Sequence, residues 1–404
     1  MSLRARESAR KPRMLFNPLG VLTWAHALAS ILQAVITSVK LSNLRGIRHG
    51  SVSELTPLTV LVGPNSAGKS TLLDALLLAT GQDVLGSAGY VVRRRSLTRG
   101  ARWLIWRGGN TDVAQVEVNL SDGSGSWSRY EWWDEHSIYV REALTDTRTS
   151  GVDGRMPGII GGIRCQRGGV GAKSSQPETG IVLFDADNHF IKVGELSSPT
   201  TNAWLVDARA GMPAHELYSR MSERGQREQV LTLLRAVVRD LVALEVLTDH
   251  GDPRLHLTYS NMSVPVALAG DGVQMLVRLC LELGARSPGA PACTIPDLVE
   301  DPAPIQGRIQ STAVFLEEPE AHQHPASIRQ SARAMLAGIR SGLQLVVATH
   351  SLELIDALLT ELADDELPQF SVHRLQLTDG YLRTSSIVGE DIRLSRREIA
   401  EDLR

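Results

Sequence analysis

Leu58-Thr-Val-Leu-Val-Gly63-Pro-Asn-Ser-Ala-Gly68-Lys69-Ser70-Thr71 is the stretch that decides the fold. Leu58 to Val62 is almost continuously apolar and β-branched, as a strand of a parallel sheet buried on both faces should be. Gly63 to Ser70 then matches G-x-x-x-x-G-K-[ST] at every fixed position. A helix is expected from about Lys69 to Ala79, with Leu72, Leu73, Ala75, Leu76 and Leu77 inward. Strand, glycine-rich loop and helix in that order describe a P-loop. Its glycines let backbone N–H groups wrap phosphates, and the helix N-terminus adds positive potential. The expected nucleotide contacts are Gly63, Pro64, Asn65, Ser66, Ala67, Gly68, Lys69, Ser70 and Thr71. Lys69 is expected to reach the β- and γ-phosphates of ATP, and Ser70 to give a hydroxyl to Mg²⁺. A glycine-rich turn with no nucleotide is the plainer reading, and the strand before it and the helix after it argue against that.

A second motif follows far along the chain, Val314-Phe-Leu-Glu317-Glu318-Pro319-Glu320-Ala-His322-Gln-His324-Pro325. An apolar strand ending in paired acids sets carboxylates beside a metal ion and a terminal phosphate. Glu317 is the expected Mg²⁺ acid, acting through the ion's water shell, and Glu318 the expected general base. The alternative is an acidic strand end that caps the next helix. His322 and His324, with Glu320, raise the question of a metal site, but histidines two apart do not share a helix face. The next strand, Leu343 to Thr349, ends at His350. An imidazole there can donate to the γ-phosphate, although a lone histidine is more often structural.

The whole-chain numbers fit an ordinary globular protein. The chain has 404 residues, 43% hydrophobic and 22% charged, long enough for two or three compact units or one large α/β domain with an insertion. A formal charge of −3 makes no electrostatic case for nucleic acid over the whole surface. Only five lysines occur, so arginine supplies the other 37 basic residues, a bias we attribute to codon usage. Cys165, Cys280 and Cys293 are too few and scattered for a disulfide framework, which fits a reducing cytoplasm. Leu19 to Val39 is fairly apolar but carries His26 and Gln33, so an added amphipathic helix, or residues upstream of the true start codon, is expected there rather than a membrane span.

Residues 1–35 read as an N-terminal extension rich in basic residues, and residues 36–404 as the folded domain. Within it, residues of about 85–205 contain short alternating runs divided by Gly, Ser and Asp clusters, as expected of inserted antiparallel β-structure. Residues 151–180 are rich in Gly and Ser and read as a mobile loop. A long helical pattern is expected from Ala214 to Leu244, inside a helical segment of about 214–290. No heptad run is long enough for a coiled-coil arm. Between Arg93 and Arg107 stand six arginines (Arg93, Arg94, Arg95, Arg99, Arg102, Arg107) with Trp103 and Trp106 and no acid. That patch can grip phosphate backbones or simply be a solvated loop.

The order P-loop, Leu-Glu-Glu-Pro-Glu-Ala-His, Ala-Thr-His-Ser, with Leu41-Ser-Asn-Leu-Arg45-Gly-Ile ahead of the P-loop, resembles the ABC-type ATPases of the OLD (overcoming lysogenization defect) group. Those are relatives of SMC-like DNA repair ATPases, and the resemblance spans residues of about 36–385. It implies an α/β P-loop NTPase of ABC-ATPase type, with a mixed or parallel sheet flanked by helices and a β-rich inserted lobe. It also implies a homodimer sandwiching ATP, in which a signature loop of one subunit caps the ATP of the other. The matching segment is Leu268-Ala-Gly270-Asp271-Gly272-Val-Gln274, so Gly270, Asp271 and Gly272 are expected nucleotide contacts in trans. Ala269 and Asp271 depart from the usual serine-glycine-glycine pattern. No Q-loop glutamine can be placed. Only 54 residues follow His350, fewer than the roughly one hundred of an ordinary domain, so a Toprim nuclease is not expected. A separate nuclease or other effector, or DNA, is then the expected partner, with anti-phage defence or DNA repair as the setting. The competing readings are the nucleotide-binding subunit of an ABC transporter, and a scaffold that binds ATP but barely hydrolyses it.

Overall fold

In the computed structural model of the chain, residues 34–95, 97, 99–106, 113–149, 158–170, 176–196, 201–207, 213–223, 225, 227–235, 238–249, 251–286, 311–321, 323–398 and 401–403 are described. Most of the N-terminal extension, Arg107, Cys293 and His322 lie outside them.

β3 (Leu58–Val62) has every residue buried, because it runs inside five parallel strands with packing on both faces. Their spatial order is β9 (Thr201–Asp207), β13 (Ser311–Glu317), β14 (Leu343–Ala348), β3 and β15 (Phe370–Thr378). Past β15 the sheet continues with β16 (Tyr381–Val388), β2 (Ile47–Val52) and β1 (Ile36–Leu44). It ends in an antiparallel wing of β4 (Val113–Leu120), β5 (Gly125–Asp134), β6 (Ile159–Gly169), β7 (Glu178–Asp185) and β8 (Phe190–Val193). The β-rich inserted strands thus extend the core sheet through the β1–β4 pairing.

The helix after the P-loop, α1 (Lys69–Thr80), packs against β9, β13 and β14 and also against β1, β4 and β5. With sheet on both sides, ten of its twelve residues are buried, which is why no single apolar stripe marks it. The parallel strands alternate between two cores. Ala313 and Phe315 face the layer that contains α1, whereas Val314 and Leu316 face the helical layer. That second layer includes α6 (Asp271–Gly284), α7 (Pro325–Arg340) and α8 (Leu352–Glu361). Shorter helices are α2 (Val84–Arg93), α3 (Ile138–Thr149), α4 (Ala214–Glu223), α5 (Arg227–Arg235) and α9 (Glu390–Arg397).

Two sequence expectations fail here. The single helix from Ala214 to Leu244 is two, α4 and α5, parted at Gly225, whose φ of 72° is left-handed. The chain then becomes strand, because Ala243–Asp249 (β10) alternates with Leu244 inward. β10 pairs with β11 (Asp252–Thr258), which pairs with β12 (Ser263–Pro265), so the segment 214–290 carries a small antiparallel sheet as well as helices. The Gly- and Ser-rich stretch 151–180 also contains β6, an eleven-residue strand. Gly168 serves packing there: a Cβ on it would lie 2.6 Å from the Trp127 indole of β5. Residues 151–157 and 171–175 lie outside the described residues.

Candidate functional site

The loop between β3 and α1 is shaped by three left-handed residues, Gly63 (φ 140°), Ser66 (φ 64°) and Gly68 (φ 94°). Gly63 has no room for a side chain, since a Cβ would stand 2.4 Å from the Leu375 carbonyl oxygen of β15. Ala67 N–H donates to the Pro64 carbonyl at 3.1 Å and closes the turn. Pro64, Asn65 and Ser66 are exposed, and Ser70 and Thr71 are half-buried. Gly68 caps α1 with no side-chain hydrogen bond, so the first-turn amides keep their donors for an anion.

Lys69 folds back into the loop it follows. Its Nζ donates to the Gly63 carbonyl at 2.8 Å and the Pro64 carbonyl at 3.2 Å. Burial pushes its ammonium below the ordinary range, and the carboxylates of Glu318, Glu320 and Glu317 oppose that shift. These acids arrive on β13 and the turn after it, which parallel pairing sets at the same edge as the P-loop.

Glu317 ends β13 with a side chain 15% exposed. One of its oxygens is held by Arg94, which lies just past α2, and the other is 3.9 Å from Arg95. Glu318 follows in a left-handed conformation (φ 47°), with its N–H donating to the Ala348 carbonyl at 2.8 Å. That twist sends its half-exposed carboxylate to His350, whose Nε2 is 3.8 Å from Oε1. Glu320 accepts from the Thr349 hydroxyl and, at 3.2 Å, from the His350 N–H. Burial pushes the Glu320 carboxyl above its ordinary range, and those two donors oppose the shift. Its Oε2 is buried with no hydrogen-bond partner among the described residues. His324 caps α7, its Nδ1 accepting from Ala326 N–H at 3.3 Å, and Pro325 occupies the first turn. Among the described residues no group of three or more His, Cys, Asp or Glu could hold a metal ion.

Asp74 escaped the sequence reading, and Arg45, Arg94 and Glu320 were singled out there but not in the roles they take here. Asp74 sits in the second turn of α1, fully buried, and takes Arg45 Nε at 3.1 Å, Arg94 Nη1 at 2.5 Å and Arg95 Nη2 at 3.0 Å. Three guanidiniums against Asp74 and Glu317 leave one net positive charge beside α1. A signal existed: an acid inside Leu72-Leu73-Asp74-Ala75-Leu76 must be paired if it is buried. The same network corrects the arginine patch. The Arg94 side chain is 1% exposed and cannot grip a phosphate backbone, and Arg95 is committed to Asp74. Arg93 and Arg99 are exposed, and Arg102 stacks 5.2 Å over Trp103.

Gly270 begins α6 as its N-cap, exposed and with no side-chain cap. Gln274 donates to the Ala267 and Ala269 carbonyls at 3.2 and 2.8 Å, which pins the loop ahead of the helix. Gly272 lies against Ser327 and Gln323, at the start of α7.

Two protein-family models match the chain. One, described as "AAA domain", covers residues 38–155 and therefore the P-loop, α1 and Arg94. The other, described as "AAA domain, putative AbiEii toxin, Type IV TA system", covers residues 184–356 and therefore Gly270, Glu317, Glu318 and His350. Each model covers less than half of the chain, the first taking in the P-loop and the second the strand ends that carry Glu317, Glu318 and His350. No curated protein matches it. Among solved structures it is similar to the head of an SMC protein bound to the C-winged helix domain of ScpA, at 13% identity over 88% of this chain and 99% of that one, TM-score 0.47. It is also similar to the SMC head domain from Thermotoga maritima, at 12% identity over 87% and 98%, TM-score 0.40. A third, the Smc head with an extended coiled coil bound to the C-terminal domain of ScpA, derived from Pyrococcus furiosus, has 12% identity over 91% and 100%, TM-score 0.44. No helix among the described residues is long and apolar enough to cross a membrane.

Proposed function

We propose that this chain binds ATP on the P-loop and hydrolyses it, as an OLD-like member of the ABC-type ATPases. The observation that carries the reading is the meeting, at one edge of the parallel sheet, of Lys69 inside its loop with Glu318 and His350 3.8 Å apart. Backbone N–H groups of residues 63–71, Pro64 excepted, wrap the phosphates, and Lys69 leaves its two carbonyls for the β- and γ-phosphates. Glu318 takes the proton of the attacking water, and His350 donates to the γ-phosphate while steadying that carboxylate.

Mg²⁺ fits the donor set: the Ser70 hydroxyl would hold it and Glu317, kept in place by Arg94, would hold it through its water shell, and the bound ion would supply neutralisation of phosphate charge.

Two copies close over two ATP molecules, each giving the amides of Gly270, Asp271 and Gly272 to the other's nucleotide. The cycle gates DNA or a separate effector, and anti-phage defence is the setting we favour.

The test is light-scattering mass with Mg²⁺ and ATP, together with phosphate release, for wild type and Glu318→Gln. The reading expects turnover in wild type and an ATP-dependent dimer trapped by the variant. A monomer in every condition would sink the sandwich. ATP binding with no turnover in wild type would leave the scaffold reading.

A further inference from the structure

Glu318 and His350 lie on the β14 side of the P-loop, and on its other side β15 and β16 form a hairpin with a groove of their own. The groove has a volume of about 270 Å³ and is walled by Pro64 of the P-loop together with Arg374, Gln376, Arg383 and Ser385. Arg374 pairs in register with Ser385, and Gln376 with Arg383, so all four side chains stand on one face of the hairpin. The two guanidiniums occupy diagonal positions, where neighbouring side chains come within roughly 7–8 Å.

Like charges set so close repel, and chains usually place an acid between them. Elsewhere here they do: Glu361 takes both Arg329 and Arg333, and Asp74 takes Arg45, Arg94 and Arg95. Among the described residues Arg374 and Arg383 have no such carboxylate within 4 Å. Asp379 stands in the hairpin's turn, and Glu54 accepts from the Ser386 hydroxyl at 2.9 Å. Ser386 pairs with buried His373, on the opposite face, so Glu54 does not neutralise the groove.

We propose that the β15–β16 hairpin carries a second anion site beside the P-loop, in which Arg374 and Arg383 clamp a small phosphate-bearing molecule. Two guanidinium forks match the charge and the paired oxygens of a phosphate or diphosphate group, with the Ser385 hydroxyl and the Gln376 amide as further donors. The volume is close to the lower bound for small-molecule pockets, about 300 Å³, and suits a diphosphate-sized ligand. The shared wall at Pro64, itself an expected nucleotide contact, places this occupant next to the P-loop, while Arg374, Arg383, Ser385 and Gln376 have no part in the ATP site.

Pyrophosphate is the probe, titrated calorimetrically into the full chain without nucleotide or Mg²⁺. The Lys69→Ala chain, with its P-loop disabled, should still bind one pyrophosphate. Adding Arg374→Ala and Arg383→Ala should weaken that binding at least tenfold, and replacing both arginines by lysine should weaken it less. With Lys69 intact, the double alanine variant should bind a fluorescent ATP analogue as wild type does. This shows that the variant is folded and keeps the test apart from the reading of the P-loop. Loss of all pyrophosphate binding on Lys69→Ala alone would overturn the proposal, as would binding that ignores both arginines. Uptake of duplex DNA but not pyrophosphate, abolished by the same pair, would overturn it in favour of a nucleic-acid backbone.

Discussion

Asp74 and Arg94 form an ion pair of 2.5 Å in which neither side chain is more than 1% exposed. Arg94 also holds Glu317, so the helix behind the P-loop and the strand that delivers the proposed metal acid are tied through one guanidinium. Breaking a buried pair costs up to roughly 3–5 kcal/mol, and because Arg45 and Arg95 still face Asp74 the loss here lies below that bound. Arg94→Ala should therefore lower the urea unfolding midpoint far more than Arg95→Ala. The Arg95 side chain is a third exposed, and its pair contributes about 1 kcal/mol or less. Equal midpoints for the two variants would remove Arg94 from the centre of the network.

Gly63 and Gly123 are both left-handed, yet a Cβ on Gly63 meets a backbone oxygen at 2.4 Å and one on Gly123 meets nothing within 4 Å. Gly123→Ala should cost only the backbone penalty, about 1–2 kcal/mol, and leave nucleotide binding alone. Gly63→Ala must displace the P-loop from Leu375. Its affinity for ATP, read by fluorescence titration, should fall at least tenfold. Unchanged affinity would mean that the loop relaxes freely, against the geometry described above.

Glu320 joins the turn after β13 to the end of β14 through Thr349 and the His350 N–H. Glu320→Ala leaves those donors without their acceptor, which costs roughly 1–3 kcal/mol. Glu320→Gln keeps an acceptor and sheds the buried charge, so it should be the more stable of the two. Because the acid sets where His350 sits, ATP turnover should fall in the alanine variant more than ATP affinity does. A loss of affinity alone would contradict that role.

His373 is 1% exposed on β15, and burial lowers its imidazole pKa to about 4, below its ordinary 6.5. Between those values the unfolded chain binds a proton that the folded chain does not. Stability from this group is therefore complete above about pH 6.5 and is lost as pH falls toward 4, by about 3 kcal/mol at most. His373→Gln should flatten the fall in melting temperature across that window. A variant whose profile parallels the wild type would show that His373 does not carry the acid sensitivity.

The sequence alone determined the pieces whose chemistry is local. Residues 63–71 state their own turn, since the left-handed positions and the approach to β15 demand glycine at 63 and 68. The acids after Phe315 and the histidine after Ala348 end strands whose apolar run is visible in the chain. Tertiary structure decided what those pieces meet. Asp74 and Arg94 are 20 residues apart, and Arg94 and Glu317 are 223 apart, so no spacing rule joins them. Their pairing follows from a sheet that packs on two sides of α1 and leaves a buried acid no water to turn to. The break of the long helix near Gly225 was also decided there. Helical and alternating patterns coincide over short apolar runs, and it is the partner strand β11 that makes Ala243–Asp249 a strand.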